Sequence, residues 1–356
     1  MSDLPDDSSV PVAPPDPWRP EERATGIGSL PGTDHHEAAR LVVGELPDFP
    51  HVAELPDRGV GADMTGRACA LLVDLAVEVW PSGYRVTQRP GGQHRRGTDL
   101  IARDVDALDS ALGETGAAPR RVKTQVAGPW TLAAGVELRN GNRVLTDRGA
   151  VAEFTESLAE GLRLHVAELG RRTGAEVVVQ IDEPTLPAVL AGSLPTPSGY
   201  GTVRTVSGTD ARAGLSVLVA AAREAGAGGV VVHCCHPTPP LALLGATGAD
   251  AVAVDLTALD RSASVLDALG ELWDTPTELW LGLVPSVSDG RPELEALARP
   301  ALDLADRLGF DRARLADRTV VTPACGLAGA SPAWARAAMG RTVELARAFA
   351  DPPTSW

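Results

Sequence analysis

The sequence has 356 residues, 44% of them hydrophobic, which is enough for one large domain or two ordinary ones with a substantial core. The formal net charge of −15 argues against a nucleic-acid-binding protein, because phosphate binding needs clustered cations. Four cysteines in a chain of this length do not form a disulfide scaffold, and no stretch approaches the roughly 18 apolar residues of a membrane span. We therefore expect a globular protein that binds neither nucleic acid nor membrane.

The N-terminal segment, 1–22, is rich in Pro, Asp and Ser and predicts a disordered acidic tail. It lacks the basic and then apolar pattern of a signal peptide, so we expect a cytoplasmic protein. Residues 23–356 form the single predicted domain.

From residue 23 onward, apolar runs alternate with longer amphipathic stretches. Eight of these runs have the length and composition of buried strands. They are Ala24–Leu30, His51–Leu55, Val122–Ala127, Val177–Asp182, Gly229–Cys235, Ala251–Leu256, Glu278–Val284 and Thr319–Pro323. Strands that alternate with helices predict a parallel sheet, and eight such units favour an α/β fold of the (β/α)8 TIM barrel type. A doubly wound open sheet is the alternative, although no Gly-x-Gly-x-x-Gly motif follows an early strand.

Two segments interrupt this alternation. Trp80–Arg96 contains the runs Trp-Pro-Ser-Gly-Tyr and Arg-Pro-Gly-Gly, and Ala191–Ser207 is rich in Gly, Pro, Ser and Thr. Long loops of this kind are often lids or binding segments. We expect both to leave the barrel.

Three potential metal ligands follow two of the predicted strands. His233 and Cys235 end the β-branched run Gly229–Cys235. Residues i and i+2 of a strand share a face, so these two side chains can bind one metal ion while Cys234 points the other way. Cys325 comes just after the last predicted strand. Because thiolates and imidazole are typical zinc ligands, the sequence predicts a zinc ion that holds and activates an incoming thiol.

Six more residues of interest lie where predicted strands end. They are Ile27, Gly28, Ser29, Asp182, Glu183 and Asp255. The active site of a TIM barrel lies at the carboxyl ends of its strands. We therefore expect these residues to surround one mouth together with His233 and the two cysteines.

Several of these residues also have a purely structural interpretation. Asp182 and Glu183 could cap the helix that follows, with Pro184 in its first turn. Asp255 could likewise be a helix-start carboxylate, and Cys235 could be inert and buried. A set of three ligands on one barrel rim favours the zinc site over these alternatives.

Five motifs, in this order, resemble the C-terminal catalytic barrel of cobalamin-independent methionine synthase, and they span nearly the whole chain. They are Thr25-Gly-Ile-Gly-Ser-Leu-Pro31, Gly128-Pro-Trp-Thr131, Val179-Gln-Ile-Asp-Glu-Pro184, His233-Cys-Cys235 and Pro323-Ala-Cys-Gly-Leu327. The resemblance implies a zinc-dependent transfer of a methyl group to the thiol of homocysteine, which gives methionine. The methyl donor is then methyltetrahydrofolate or a methyl-corrinoid protein.

The resemblance also assigns the metal ligands residue by residue. His233, Cys235 and Cys325 match the zinc ligands of the family. Asp255 stands where the family has a glutamate ligand, and it is one methylene shorter.

The substrate site is assigned in the same way. Ile27, Gly28 and Ser29 match the segment that holds the carboxylate of homocysteine. Asp182 matches the carboxylate that holds and orients its amino group, and Glu183 lies beside it. The family also has a substrate-binding Glu near its second strand, for which no residue of this chain aligns cleanly. The nearby acidic residues are Glu54, Asp57 and Asp63.

The sequence departs from the family in the half that handles the methyl donor. The family has a catalytic His shortly after its seventh strand, where this chain has Leu281–Ser288 with Val287 near the corresponding place. The proton donor is therefore unknown. The Trp that the family carries after Gly-Pro-x-Thr is also missing, and Trp130 precedes the Thr instead. The full-length enzyme has a second, N-terminal barrel, so this chain resembles the shorter, single-barrel members.

Two other functions remain open at this point. One is a zinc-dependent methyltransferase of the same barrel family with a different thiol acceptor. The other is a barrel that binds zinc without catalysis, because a structural zinc site has four protein ligands whereas a catalytic one keeps an exchangeable position.

Overall fold

A computed structural model of the protein describes residues 18–196, 199–354 and 356. The strands are β1 (Ala76–Trp80), β2 (Gly83–Thr87), β3 (Arg121–Ala127), β4 (Val136–Glu137), β5 (Glu176–Asp182), β6 (Gly229–Cys234), β7 (Ala251–Asp255), β8 (Glu278–Val284) and β9 (Thr319–Pro323). The α-helices are α1 (His35–Glu45), α2 (Met64–Leu71), α3 (Gly92–Thr115), α4 (Pro129–Gly135), α5 (Arg148–Thr173), α6 (Leu186–Ala191), α7 (Gly208–Glu224), α8 (Leu241–Gly245), α9 (Ala263–Trp273), α10 (Leu294–Leu308), α11 (Ala313–Arg318) and α12 (Pro332–Ala350). Short 3-10 helices span Pro20–Glu22, Pro56–Arg58 and Val144–Thr146.

Six strands form one parallel sheet in the order β3-β5-β6-β7-β8-β9. They are six of the eight predicted strands, which are confirmed with ends that differ by one residue at most. The strands are buried on both faces, because helices cover the outer face of the sheet. Burial on both faces explains why their sequences are continuous Val- and Leu-rich runs. Neighbouring strands end side by side, and in this register Asp182 lies opposite His233.

The first two predicted strands are wrong as regular strands. Three isolated parallel bridges replace them: Ala24 with Val321, Ser29 with Glu54, and His51 with Lys123. The backbone of Gly28 has a φ of +149°, which lies outside the strand region, and Pro50 has no N–H to donate, so a ladder cannot run through either residue. A TIM-barrel-like fold fits this arrangement, with six ladder strands and two extended segments, 24–30 and 51–55, between β9 and β3.

The two interrupting segments leave the sheet, as predicted. Within Trp80–Arg96, β2 pairs with β1 in an antiparallel hairpin and with β4 in parallel. Ala191–Ser207 is irregular apart from the end of α6 and an isolated bridge between Pro195 and Thr202. Residues 197–198 lie outside the described part of the chain.

Helix α5 begins and ends at residues typical of helix caps. Asp147 accepts hydrogen bonds from the backbone of Gly149 and Ala150 at the start of α5, and Gly174 ends that helix with a left-handed φ of +67°. Across 18–196, 199–354 and 356, no helix combines the length and the apolar character needed to cross a bilayer.

A cluster of apolar side chains fills the interior of the barrel toward the amino ends of the strands. Its members are Phe49, Val178, Val231, Ala251, Ala253, Trp280 and Val320. Trp18 closes this end, with its ring centroid 5.2 Å from that of Phe49 and 5.6 Å from that of Trp280. Residues 1–17 of the predicted tail, 1–22, lie outside the described part of the chain. Trp18 and the buried Glu22 pack against the barrel.

Candidate active site

A buried histidine and an aspartate meet at the carboxyl ends of β5 and β6. The Nδ1 atom of His233 lies 2.7 Å from Oδ1 of Asp182, and the two residues are only 3% and 4% exposed. Burial disfavours the charged imidazole, but the hydrogen bond and the charge of Asp182 outweigh it, so the pKa of His233 is raised. The other ring nitrogen, Nε2, is buried and has no hydrogen-bond partner among the described residues. That nitrogen is therefore free to bind a ligand.

Two thiols lie beside the histidine. The side chains of Cys235 and Cys325 are hydrogen-bonded to each other, with the thiol of Cys235 as donor, and both residues are partly exposed. The hydrogen bond from Cys235 lowers the pKa of Cys325, and the charge of His233 lowers it further. The pKa of Cys235 is raised correspondingly, first by the same hydrogen bond and then by burial. The pair therefore favours one thiolate, on Cys325.

The third cysteine of this region points away from the mouth. Cys234 is fully buried in the apolar layer between the sheet and the helices. The alternation along β6 thus places His233 and Cys235 on the inner face, as the strand geometry requires.

The donor types at the mouth fit zinc, because two sulfur atoms in contact and an unpartnered imidazole nitrogen are ligands that this metal favours. Within the described residues, however, no group of three or more His, Cys, Asp or Glu side chains is arranged to hold a metal ion. The ligand atoms that zinc favours are therefore present, but the side chains that carry them are not arranged around a single metal position.

Asp255 does not join this set. Its Oδ1 atom accepts hydrogen bonds from the backbone N–H of Thr257 and Ala258 and from the hydroxyl of Thr257 at 2.6 Å. No hydrogen bond or electrostatic interaction links its carboxylate to His233 or to either thiol in the described part of the chain. Its observed role is to stabilise the turn that follows β7; it does not start a helix, because α9 begins only at Ala263.

The segment Ile27–Ser29 is fixed against three neighbouring elements. The carbonyl oxygen of Ile27 accepts hydrogen bonds from the side chains of Lys123 and Gln180, each at 2.9 Å. A side chain at Gly28 would collide with the amide of Gln125, and its φ of +149° also requires glycine. The carbonyl of Ser29 accepts the backbone N–H of Leu327 at 2.8 Å, so the segment adjoins the loop that carries Cys325.

Glu183 is predicted to bind substrate, but its carboxylate is fully buried and used elsewhere. It accepts hydrogen bonds from the backbone N–H of Trp130 and Thr131, both at 2.9 Å, and from the hydroxyl of Thr131 at 2.7 Å. Burial raises the pKa of Glu183 to about 7 against these hydrogen bonds. A side chain at Gly128 would overlap the carboxylate. Glu183 therefore caps α4, and two of the sequence motifs form one structural contact.

Glu54 is the acidic residue that faces the mouth from the second extended segment. It is 8% exposed, forms a salt bridge of 3.1 Å with Arg67, and interacts electrostatically with Asp182. Burial first, and then the charge of Asp182, raise its pKa despite the opposing charge of Arg67. Its two sequence neighbours are used elsewhere, because Asp57 accepts the N–H of Gly32 and Asp63 caps α2. The sequence alone does not show which of the three acidic residues lies at the mouth. The bridge between Ser29 and Glu54 identifies Glu54 as that residue.

Lys123 is not among the residues that the sequence predicts for the site. It lies on the inner face of β3, is fully buried, and is the one lysine among 356 residues. Burial lowers its pKa to about 7, while the charges of Asp182 and Glu54 act in the opposite direction. Its being the single lysine of the chain is the signal that could have identified it.

The loop after β8 and the start of α4, where the resemblance led us to look for a His and a Trp, carry other side chains. Val287 is 61% exposed in the loop after β8, and the neighbouring Ser286 accepts the backbone N–H of Cys325 at 2.9 Å. Trp130 is buried and donates its indole N–H to the carbonyl of Ala211 at 2.8 Å, so it packs under α7 and does not replace the missing Trp.

An α/β barrel-like fold with polar and titratable side chains gathered at the carboxyl ends of its strands is typical of an enzyme. The family described as "Cobalamin-independent synthase, Catalytic domain" matches residues 23–348, and the chain belongs to this family. It is accordingly a methyltransferase of the cobalamin-independent methionine synthase type.

Two solved structures share the fold. A B12-independent methionine synthase from Shewanella sp. W3-18-1, in complex with selenomethionine, superposes with a TM-score of 0.60 at 14% sequence identity, over 92% of this chain and 97% of that one. A methyltransferase from Methanosarcina mazei superposes with a TM-score of 0.50 at 16% identity, over 94% of this chain and 88% of that one. At these identities the likeness concerns the fold alone. A comparison with curated proteins found no match.

Proposed function

We propose that the protein transfers a methyl group to the thiol of homocysteine, giving methionine, and that His233, Cys235 and Cys325 hold a zinc ion for this reaction. The observation that carries the proposal is the pair of hydrogen-bonded thiols beside a buried imidazole whose Nε2 has no partner among the described residues. When bound, zinc would keep the thiol of the substrate deprotonated near neutral pH, and only a thiolate attacks a methyl group efficiently.

The residues around the ligands support this role. The hydrogen bond from Nδ1 of His233 to Asp182 fixes the ring and leaves Nε2 for the metal, which is how metal-binding histidines are commonly oriented. Cys325 favours the thiolate form before any metal arrives. Asp255 is left out of the proposed set because its carboxylate holds the turn after β7. Three protein ligands keep one position open for the substrate sulfur.

The amino-acid part of homocysteine fits between two sets of groups. Asp182 uses Oδ1 for its hydrogen bonds to His233 and Gln180, so Oδ2 is left for the substrate ammonium, with Glu54 nearby. The backbone N–H groups of Gly28 and Ser29 would bind the substrate carboxylate. Such a two-point grip orients the thiol for attack.

The donor half favours a methyl-corrinoid over methyltetrahydrofolate. Methyltetrahydrofolate needs a proton on its leaving nitrogen, and the exposed Val287 near the place of the family histidine cannot supply one. A corrinoid leaves as a reduced metal complex and needs no proton. The donor is therefore proposed to be a methyl-corrinoid, carried by a partner protein.

The test is methionine formation by the purified, zinc-loaded protein from L-homocysteine. Methylcobalamin and methyltetrahydrofolate are supplied in parallel, and zinc content is measured by elemental analysis. We expect methionine with methylcobalamin, and loss of both zinc and activity in Cys325→Ser. The matched control is Cys234→Ala, which removes a thiol next to Cys235 from the apolar layer and should keep the zinc.

Three results would contradict the proposal in different ways. Zinc binding without turnover on any donor would indicate a barrel that binds zinc without catalysis. Turnover only with another thiol would indicate a different acceptor. Failure of the protein to bind zinc would remove the mechanism itself.

A further inference from the structure

We propose that Lys123 is the positioning residue of the amino-acid grip, because it ties the segment that would hold the substrate carboxylate to the aspartate that would hold the substrate amine. This inference rests on the proposed function and extends it to a residue that touches neither the metal ligands nor the substrate.

The ammonium group of Lys123 makes three hydrogen bonds to three different parts of the barrel. It donates to the carbonyl of Ile27 at 2.9 Å, to Oε1 of Gln125 at 3.0 Å and to Oε1 of Gln180 at 2.9 Å. A lysine ammonium has three donors, so its capacity is used in full. The planar guanidinium of an arginine would not match three acceptors arranged around one point.

Gln180 carries the connection onward to the site. Its Nε2 atom donates to the carbonyl of Ile27 at 2.9 Å and to Oδ1 of Asp182 at 2.7 Å, while its Oε1 accepts from Lys123. Asp182 in turn binds the ring of His233. One continuous network therefore joins the Ile27–Ser29 segment, the amine-binding carboxylate and the histidine.

The charges argue that this lysine has a purpose beyond stability. Taking an ammonium out of water is costly, and a buried group of paired ions can often be replaced by apolar side chains without loss of stability. The apolar cluster of the barrel interior reaches the level of Lys123, because it includes Val178, the register partner of Lys123 on β5. The charges that favour the buried ammonium are Asp182 and Glu54, the two carboxylates proposed to meet the substrate ammonium. Lys123 and the substrate amine would thus share the same pair of anions.

The sequence provides a direct probe of this residue. Because Lys123 is the single lysine of the chain, protein labelled with 15N at lysine Nζ, prepared without a lysine-containing tag, gives one side-chain signal. We expect L-homocysteine and L-methionine to shift this signal in the native protein, with or without zinc. We expect 1-propanethiol, which has the thiol but neither the amino nor the carboxylate group, to leave it unchanged. A signal that does not move while calorimetry reports amino-acid binding would overturn the proposal.

Two variants test the same network by affinity. In cobalt-substituted Lys123→Met and Gln180→Met, the Kd for L-homocysteine should rise by about tenfold or more. The binding of 1-propanethiol, followed by the same cobalt spectrum, should stay close to that of the cobalt-substituted native protein. Equal weakening of both ligands, or of neither, would contradict a positioning role. The matched control is Arg121→Met, which removes a buried cation two residues earlier on β3, where it pairs with Glu22. It should lower stability and leave homocysteine affinity intact.

These outcomes separate the two proposals. If the native protein binds no homocysteine, the proposed function fails and the inference falls with it. If the native protein binds homocysteine and the lysine signal and both variants show no amino-acid-specific effect, the inference alone fails.

Discussion

The imidazole of His233 and the carboxylate of Asp182 are joined by a buried hydrogen bond of 2.7 Å across the ends of β5 and β6. The bond orients the ring so that Nε2 is its free nitrogen among the described residues. Asp182 thereby belongs both to the support of the proposed metal centre and to the proposed amino-acid grip. Its removal should disturb the two together.

The first prediction concerns this carboxylate. Asp182→Asn keeps the size of the side chain but removes its charge, so it should weaken zinc binding or methyl transfer about 10- to 100-fold and weaken homocysteine binding as well. Chelator competition and calorimetry measure the two effects. The control is Asp250→Asn, because Asp250 bonds Arg223 and the N–H of Val230 at the opposite end of the sheet. Unchanged zinc and homocysteine affinities in Asp182→Asn would be incompatible with the proposed geometry.

The second prediction concerns the turn at Gly28. Gly28→Ala should destabilise the protein by about 1–3 kcal/mol through overpacking against Gln125, in addition to backbone strain at its φ of +149°. It should also weaken homocysteine binding. Gly32 is the matched control, because it has a φ of +92° but nothing within 4 Å of the position that a Cβ would occupy, so Gly32→Ala should show only the strain, about 1 kcal/mol. Equal costs in the two variants, measured by chemical denaturation, would refute the close contact with Gln125.

How far the sequence predicts this structure depends on the local pattern. The six ladder strands are predictable because β-branched apolar runs between glycines leave few other conformations. The first two predicted strands are wrong because the sequence of each contains or follows a residue that interrupts pairing, Gly28 in one and Pro50 before the other. The position of these two segments in the barrel is predictable from the sequence, but the loss of regular strand pairing is not.

Some residues of the site are likewise predictable from the local pattern, and others are not. The alternation that separates Cys234 from Cys235 also separates Glu183 from Asp182, so the burial of Glu183 under α4 follows from the same rule that applies to the cysteines. Glu54 and Lys123 depend on contacts between segments distant in the chain, which no local pattern reveals.

The third prediction tests the role of Glu183. Glu183→Gln places an amide NH2 against donors of α4, so it should lower the free energy of unfolding by an amount on the order of 1–3 kcal/mol. Zinc content and the Kd for homocysteine should stay close to those of the native protein, because the carboxylate faces α4. A variant of native stability with impaired homocysteine binding would restore Glu183 to the substrate site.

The fourth prediction is a pH dependence of stability. Burial lowers the pKa of Lys123 from its ordinary value of 10.5 to about 7 in the folded protein. Between these values the unfolded chain binds a proton that the folded chain does not, so the contribution of Lys123 to the free energy of unfolding rises with pH across this window. The difference between the native protein and Lys123→Met should therefore change over this range by an amount on the order of a few kcal/mol. Parallel pH profiles of the two proteins in denaturant titrations would contradict the lowered pKa of Lys123.

X-ray absorption at the zinc edge, recorded on the purified protein before and after addition of L-homocysteine, tests the proposed zinc site directly. We expect two sulfur ligands and one nitrogen ligand from Cys235, Cys325 and His233, and one additional sulfur when homocysteine binds. A zinc environment with no sulfur, or one whose sulfur count does not change with homocysteine, would contradict the proposed site.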